Sequence, residues 1–259
     1  MSETTAERDA RPIVFASDVH LVADGDATTA RFLTFLESLE GRIEALYCLG
    51  DLFHFWLGRG HELRPDYAPV LDAFKRLADG GARLGFVWGN RDFLVRGRGF
   101  EQRTGFEILG DGGSFEFAGR VITVLHGDEL CLDDVSYQRF RRVIRSWPVM
   151  TLERLAPLAV KRFVAERLRR ASKKAVADKA QKAPAGLDLH PDAIQELFRG
   201  ETSVAVCGHI HREQHRVVAR PDRPDGDLYV LGSWDDGEAP FLVAEPDGTF
   251  RFARQTLDG

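Results

Sequence analysis

Polar residues that could hold metal ions follow five short apolar stretches of the sequence. Carboxylate, amide and imidazole groups of this kind are ligands for Mn, Fe, Zn or Mg ions. No cysteine occurs among them, which argues against a closed structural zinc site. We call these five segments the tags, and they cover residues 18–20, 50–51, 89–92, 126–128 and 208–211.

The tags contain more candidate ligands than one ion with open coordination positions needs. Two ions about 3.5–4 Å apart, bridged by one carboxylate, would use all of them. Asp51 is the predicted bridge, because it stands alone after a glycine and can be approached from two sides. The seven candidates are Asp18, His20, Asp51, Asn90, His126, His209 and His211.

A single tag is weak evidence, since an Asp-x-His or Gly-Asp segment is a turn in most proteins. Five tags in this order, each after an apolar stretch, favour a functional site. Asp18 and His20 are two residues apart, and so are His209 and His211. A strand end could present both members of such a pair only with a local bend.

The stretches between the tags predict a layered α/β fold with a mixed sheet or two stacked sheets. Ligand-binding groups of open α/β sheets collect at the carboxyl ends of the strands, so the tags are expected to converge on one crevice. Helices are predicted at 28–40, 66–79 and 191–198. Strands are predicted at 12–16, 44–49, 83–88, 114–116, 120–125, 203–207, 214–219, 228–231, 241–244 and 249–253.

Composition indicates a globular protein with a large core. The chain has 259 residues, of which 44% are hydrophobic and 29% charged, and we expect one domain over residues 1–259. No apolar run approaches the roughly 18 residues of a membrane-spanning helix. The polar N-terminus and three cysteines suit the reducing cytoplasm.

The formal net charge of −5 conceals an asymmetry. Residues 139–182 contain 14 Lys and Arg but three acidic residues, so this segment carries +11 and the rest of the chain −16. A cationic segment on an acidic body predicts an anionic partner, which could be nucleic acid, phospholipid or a phosphorylated substrate. The segment reads as a helical insertion at about 135–185, divided by Pro148 and Pro157 into at least three pieces.

The tags and their neighbours resemble the calcineurin-like metallophosphoesterase superfamily over nearly the whole chain. The segments that carry this resemblance include Ser-Asp-Val-His-Leu, Gly-Asp-Leu-Phe-His-Phe-Trp, Gly-Asn-Arg-Asp-Phe-Leu and Gly-His-Ile-His-Arg. Within the superfamily they are most similar to the UDP-2,3-diacylglucosamine hydrolases of lipid A biosynthesis. The resemblance implies a four-layer α/β/β/α sandwich with a helical cap insertion.

The same resemblance implies two divalent metal ions, with manganese expected. One ion would be held by Asp18, His20, Asp51 and His211. The other would be held by Asp51, Asn90, His126 and His209. The implied reaction splits the pyrophosphate bond of UDP-2,3-diacylglucosamine with a hydroxide activated by both ions, giving 2,3-diacylglucosamine 1-phosphate and UMP.

Arg91 discriminates within the superfamily, and it is expected to be catalytic together with Asn90. Most of the phosphoesterases that this pattern resembles have histidine after the asparagine, as a general acid. Arginine cannot donate a proton at neutral pH, but it can contact two phosphate oxygens at once. A phosphate leaving group needs no acid, so Arg91 favours pyrophosphate cleavage over ester hydrolysis. A surface salt bridge is the alternative role for Arg91.

Further substrate contacts are implied by position. Asp134 and Tyr137 match positions that help to bind the sugar and phosphate of the substrate, although an N-cap and a core-facing tyrosine are equally compatible with the sequence. Arg169, Ser172 and Lys179 of the insertion are expected phosphate contacts.

The insertion combines its basic residues with an apolar stripe between 163 and 175, which suits an anionic membrane surface. We therefore expect a cytoplasmic protein that is peripheral on the inner face of the cytoplasmic membrane. A solvated helical bundle is the alternative interpretation. His54 stands where the family usually has an acidic residue, so it is either an outer partner of the site or a packing residue.

Two other functions remain open on the sequence. A nuclease or another phosphodiesterase of the superfamily would also use the basic segment, but Arg91 and the apolar stripe count against nucleic acid as the substrate. A non-catalytic membrane-binding protein would not need seven intact metal ligands.

Overall fold

Two stacked β-sheets form the centre of the computed structural model, which describes residues 11–22, 25–56, 58, 60–155 and 188–255. The first sheet has the order β11-β10-β1-β2-β3-β4, and the second has the order β5-β6-β7-β9-β8. The strands are β1 Ile13–Ala16, β2 Ala45–Cys48, β3 Arg83–Val87, β4 Phe106–Gly110, β5 Gly112–Phe117, β6 Arg120–Leu125, β7 Val204–Cys207, β8 Gln214–Val218, β9 Gly226–Val230, β10 Pro240–Ala244 and β11 Phe250–Arg254.

Helices cover the outer face of each sheet. The helices are α1 Ala27–Leu39, α2 Ala68–Asp79, α3 Arg98–Thr104, α4 Val135–Ile144, α5 Trp147–Leu155 and α6 Pro191–Leu197. Asp26 caps α1 by accepting the backbone N–H of Thr29 at 2.9 Å, which satisfies one of the free donors at the start of the helix.

Alternating side chains of the strands divide the interior into three apolar layers. In β1, Val14 and Ala16 pack with residues of α1, α2 and α3, whereas Ile13 and Phe15 pack against the second sheet. The same alternation occurs in β7, whose odd-numbered residues Ala205 and Cys207 belong to the layer that includes Ile194 of α6. The order of layers is therefore helix, sheet, sheet, helix, which confirms the predicted four-layer sandwich.

The predicted elements agree with the structure except between residues 98 and 110. Here the structure contains α3 and β4, which the sequence did not predict. Both are short, and α3 ends after seven residues at Gly105, whose φ of 84° an L side chain rarely adopts. Seven residues form only about two helical turns, which leaves too little apolar periodicity to recognise the helix.

Helices α4 and α5 begin the segment between β6 and β7 that we interpreted as an insertion. They are separated at Arg145 and Ser146, and Pro148 is the second residue of α5. Proline is favoured in the first turn of a helix, where its missing N–H costs nothing. Pro157 lies outside the described residues. Among the helices that the structure describes, none is long and apolar enough to cross a membrane.

Candidate metal centre

The carboxyl ends of five strands meet at one edge of the two sheets. Strands β1, β2 and β3 are parallel neighbours in the first sheet, and β6 and β7 are parallel neighbours in the second. The tag after each strand therefore faces the same crevice. Across the sheets, the backbone N–H of His209 donates to Asp18 Oδ2 at 2.9 Å. The structure thus brings all seven predicted ligands together.

The backbone turns sharply at five of these ligands. Five of the seven ligands are among the described residues, other than glycine, that have a positive φ. In the two pairs of ligands that are two residues apart, this conformation provides the required local bend. In this left-handed region Cβ crowds the backbone, so each such residue costs free energy that the surrounding structure must offset. The five are Asp18 (53°), His20 (57°), Asp51 (51°), His209 (71°) and His211 (55°).

The first group of ligands surrounds Asp18. Asp18 Oδ1 lies 3.2 Å from His211 Nε2, and His20 Nε2 lies 3.5 Å from Asp51 Oδ2. Ligand atoms of Asp18, His20 and His211 all lie within 4.8 Å of one another. Asp18 Oδ1 and His20 Nε2 are buried without a hydrogen bond of acceptable geometry. Buried polar atoms are rarely left in this state unless an ion or another partner binds them.

The second group surrounds Asn90. Its Oδ1 lies 3.2 Å from His126 Nε2 and 3.1 Å from His209 Nδ1. His126 Nδ1 contacts the carbonyl oxygen of Leu49 at 2.7 Å, which places the proton on Nδ1 and directs Nε2 to the crevice. Asp51 Oδ1 lies 3.8 Å from that Nε2, so the two oxygens of Asp51 face one group each.

Charge in the crevice is also suited to cations. Asp18 and Asp51 are 0% and 2% exposed. Burial by itself raises a carboxyl pKa, but contacts with His211 and the charge of His126 outweigh it and hold the pKa of Asp18 well below its ordinary value. His126 and His20 lower the pKa of Asp51 in the same way. Two buried ionised carboxylates with histidine and asparagine around them fit a dinuclear centre for divalent ions.

Two glycines allow the tags to approach this closely. A Cβ on Gly89 would lie 2.2 Å from the backbone nitrogen of Asp51, and a Cβ on Gly208 would lie 2.3 Å from Asp18 Oδ2. These distances are shorter than any real contact of a Cβ atom. At Gly89 the backbone of Asp51 leaves no room for a side chain, and at Gly208 the side chains of Ser17 and Asp18 occupy that space.

Arg91 is directed at the centre. Its backbone N–H donates to Asp51 Oδ1 at 2.8 Å, and its Nε lies 3.2 Å from Asp51 Oδ2. Its Nη1 lies 3.1 Å from His54 Nδ1. A guanidinium can only donate, so His54 accepts with an unprotonated Nδ1. His54 is thus a partner of Arg91, which agrees with the first of the two roles that the sequence allowed, an outer partner of the site.

Three aspartates at the site were not assigned a role from the sequence. Buried Asp92 accepts the backbone N–H groups of Asp51, Phe53 and Gly89 at 2.9–3.2 Å, which fixes two tags relative to each other. Burial, together with the charge of Asp51, raises the pKa of Asp92 to about 7. Asp92 is the fourth residue of the third tag, and this position was the sequence signal that could have identified it.

Asp128 and Asp235 complete the surroundings of the centre. Asp128 is buried beside His126, and Asp235 lies 3.6 Å from His20 Nδ1 and 3.4 Å from His211 Nδ1. A carboxylate on the far nitrogen of a histidine typically orients that ring toward a metal ion. Asp235 follows the carboxyl end of β9, so it occupies a position analogous to the tags.

The expected substrate contacts have different outcomes. Asp134 is the N-cap of α4 and accepts the backbone N–H of Tyr137 at 3.0 Å. The Tyr137 hydroxyl donates to Asp128, and its ring centre lies 6.4 Å from that of His209. Arg169, Ser172 and Lys179 lie outside the described residues, as does the apolar stripe of the insertion.

We expect metal binding to release protons. Although burial lowers the pKa of His126, the charges of Asp51 and Asp18 raise it to about 9, so the ring is protonated at neutral pH in the metal-free protein. An ion must displace this proton. Below pH 9 the metal affinity should therefore rise with pH, by up to about tenfold per unit. Calorimetric titrations in buffers of different ionisation enthalpy measure the released protons, and equal affinities at pH 7 and pH 8 would contradict the expectation.

Comparisons with known proteins agree with this geometry. Residues 11–213 match the family profile described as Calcineurin-like phosphoesterase. The UDP-2,3-diacylglucosamine hydrolase of Aromatoleum aromaticum is 38% identical over 232 residues, which are 88% of this chain and 91% of that protein. That of Pseudomonas aeruginosa (strain UCBPP-PA14) is 34% identical over 86% of this chain and 91% of its own.

Among solved structures, an archaeal phosphodiesterase aligns with 94% of this chain and 99% of its own, at 14% identity and a TM-score of 0.46. The family profile and the sequence relatives carry the assignment, because the profile spans all five tags and each of the two relatives matches more than four-fifths of the chain. The chain belongs to the calcineurin-like phosphoesterase family and is a metal-dependent hydrolase.

Proposed function

We propose that the protein hydrolyses the pyrophosphate bond of UDP-2,3-diacylglucosamine, giving 2,3-diacylglucosamine 1-phosphate and UMP in lipid A biosynthesis. The observation that carries the proposal is Arg91, which replaces a general acid at a centre otherwise built for phosphoryl chemistry. The relatives named UDP-2,3-diacylglucosamine hydrolase, which match most of the chain, support the same substrate.

Two divalent ions, with manganese the proposed metal, would be held by the two groups of ligands. Asp18, His20 and His211 would hold one, Asn90, His126 and His209 the other, and Asp51 would bridge them. When bound, such a pair supplies a water of lowered pKa and neutralises charge on phosphoryl oxygens.

The residues of the chain itself orient and neutralise the pyrophosphate. The Arg91 guanidinium, held by His54, can contact two phosphate oxygens and offset the charge that develops as the bond breaks. Asn90, whose Oδ1 contacts His126 and His209, would place its amide beside the phosphate that is attacked. No group needs to protonate the leaving oxygen, because it departs as part of a phosphate.

The lipid part of the substrate is proposed to lie against the insertion at about 135–185, which would cap a single domain over residues 1–259. Helices α4 and α5 expose large apolar side chains there, including Phe140 (43%), Val143 (63%) and Trp147 (79%). Asp134 and Tyr137, together with Arg169, Ser172 and Lys179, are the proposed contacts to the sugar and phosphates.

The test is release of UMP from UDP-2,3-diacylglucosamine by the purified protein with Mn²⁺, followed by mass spectrometry. In H₂¹⁸O, attack at the phosphorus next to uridine puts the label into UMP. Label in the lipid phosphate would overturn the proposed site of attack. Absence of UMP release, with turnover of bis(p-nitrophenyl) phosphate or DNA, would overturn the substrate and favour a general phosphodiesterase or nuclease.

We further propose that the protein binds the inner face of the cytoplasmic membrane through the insertion. Vesicles containing anionic phosphatidylglycerol should bind it more tightly than neutral vesicles, and salt should weaken that binding. Trp147→Ser should weaken it about tenfold, because the ring loses its burial in the lipid interface. Leu63→Ser is the matched control, since Leu63 is 80% exposed but lies outside the insertion. Equal losses in both variants, measured by vesicle sedimentation, would contradict the proposal.

A further inference from the structure

Arg145, which directly follows helix α4, is buried among three separate loops. Its side chain is only 8% exposed. Nη2 donates to the carbonyl oxygen of Gly89 at 2.9 Å and to Asp128 Oδ2 at 3.2 Å, and Nη1 donates to Asp111 Oδ1. One guanidinium thus connects the insertion to the third tag, to the fourth tag and to the turn between β4 and β5.

The contacts of Arg145 enclose the segment that carries Asn90 and Arg91. The Gly89 carbonyl belongs to the peptide bond that leads into Asn90. At the other end of the segment, the Arg145 guanidinium carbon lies 5.8 Å from the centre of the Phe93 ring, a distance typical of a cation–π contact. Arg145 therefore contacts both ends of this short segment. Asp92, which lies within the segment, accepts the backbone N–H of Gly89.

Asp128 receives further donors from the same helix. Arg141 Nε donates to Asp128 Oδ2 at 2.9 Å, and the Tyr137 hydroxyl donates to the same oxygen. Asp128 is fully buried and lies two residues after His126. Helix α4 thus contacts the His126 segment through Tyr137, Gln138 and Arg141, and Arg145, which follows the helix, extends the connection to the Asn90 segment.

The fork of the guanidinium is what makes this connection possible. A lysine has one charged nitrogen on a flexible stem, so it cannot contact Gly89, Asp128 and Asp111 from fixed positions at once. A residue that only neutralised Asp128 would not need the contact with the Gly89 carbonyl, and Arg141 already supplies a positive charge to Asp128.

We propose that Arg145 is a positioning residue that holds the Asn90 segment against the His126 segment and so couples the placement of helix α4 to the geometry of the metal centre. This inference rests on the proposed metal centre, but not on the identity of the substrate. It predicts that a change at the base of the insertion alters metal binding without touching a ligand.

The experiment compares Arg145→Met with Arg142→Met, which removes an exposed arginine from the last turn of helix α4. Mn²⁺ dissociation constants of the full chain are measured by competition with a chelator, without substrate. We expect Arg145→Met to weaken the binding of one ion by about ten- to a hundredfold, as for other partners of metal ligands, and Arg142→Met to leave it unchanged. Arg145→Lys should give an intermediate loss.

Hydrogen exchange and thermal unfolding distinguish the outcomes. If the proposal holds, amides 89–93 exchange faster in Arg145→Met while those of β1 do not. A lower unfolding temperature with unchanged Mn²⁺ affinity would show a structural role only and overturn the inference. A wild-type chain that binds no Mn²⁺ would instead overturn the metal centre of the proposed function. If Arg145→Met does not fold, the intermediate Mn²⁺ affinity of Arg145→Lys decides.

Discussion

We expect Asp51→Asn to lower kcat for UMP release by at least about a thousandfold. Asp51 Oδ1 faces His126 and its Oδ2 faces His20, so this residue contributes to both groups of ligands. Asparagine has the same shape but no charge, and its amide nitrogen would point at one of the two groups. Losing the two bound metal ions would remove several kcal/mol of transition-state stabilisation, which corresponds to a loss of kcat of about a thousandfold.

Metal analysis accompanies the rate measurement. After dialysis against a weak chelator, Asp51→Asn should contain less bound metal than the wild type. Asp79→Asn serves as the control, because Asp79 is 63% exposed at the end of α2 and contacts Lys75 rather than the centre. Turnover of Asp51→Asn within tenfold of the wild type would exclude Asp51 as the bridge.

The second large effect is expected at Arg91. Arg91→Met should lower kcat/KM by about a thousandfold, in the range found when an arginine that stabilises a phosphoryl transition state is removed. Arg91→Lys keeps the charge but loses the fork, so we expect a smaller loss of about a hundredfold. The metal content should stay at the wild-type value in both variants, since the backbone N–H of Arg91 still holds Asp51 Oδ1 when the side-chain contact with Asp51 Oδ2 is lost.

This pattern separates the role of Arg91 from that of the ligands. A loss of bound metal in Arg91→Met would assign Arg91 to the assembly of the centre instead. Unchanged kcat/KM in Arg91→Met would leave it as a surface ion pair, which is the alternative that the sequence allowed. Activity of both variants is followed by the release of UMP in steady state.

The convergence of the ligands was predictable because it follows from topology. Residues directly after parallel strands share one edge of a sheet, so Asp18, Asp51 and Asn90 had to lie close together once their strands were recognised. A local bend between Asp18 and His20 likewise followed from their spacing of two, and the structure shows that it takes the form of positive φ angles. Local sequence therefore contained most of the centre.

Residues that reach the centre from other elements were not predictable in the same way. Arg145 contacts Gly89 across 56 positions, and nothing in its immediate sequence marks it among the neighbouring arginines. Asp235 acts through proximity to two histidines that come from different sheets. These contacts depend on how the two sheets and the helices pack together. The spacing of residues along the sequence therefore cannot predict them.

The left-handed backbone at five of the proposed ligands has a consequence for evolution. Each conformation is disfavoured by about 1 kcal/mol or more for an L side chain, whereas glycine adopts it readily. Substitution by glycine at these positions would therefore make the metal-free fold easier to form while it deletes a ligand. Fold stability and metal binding therefore make opposite demands on these five residues, and without selection for turnover stability alone would favour glycine there.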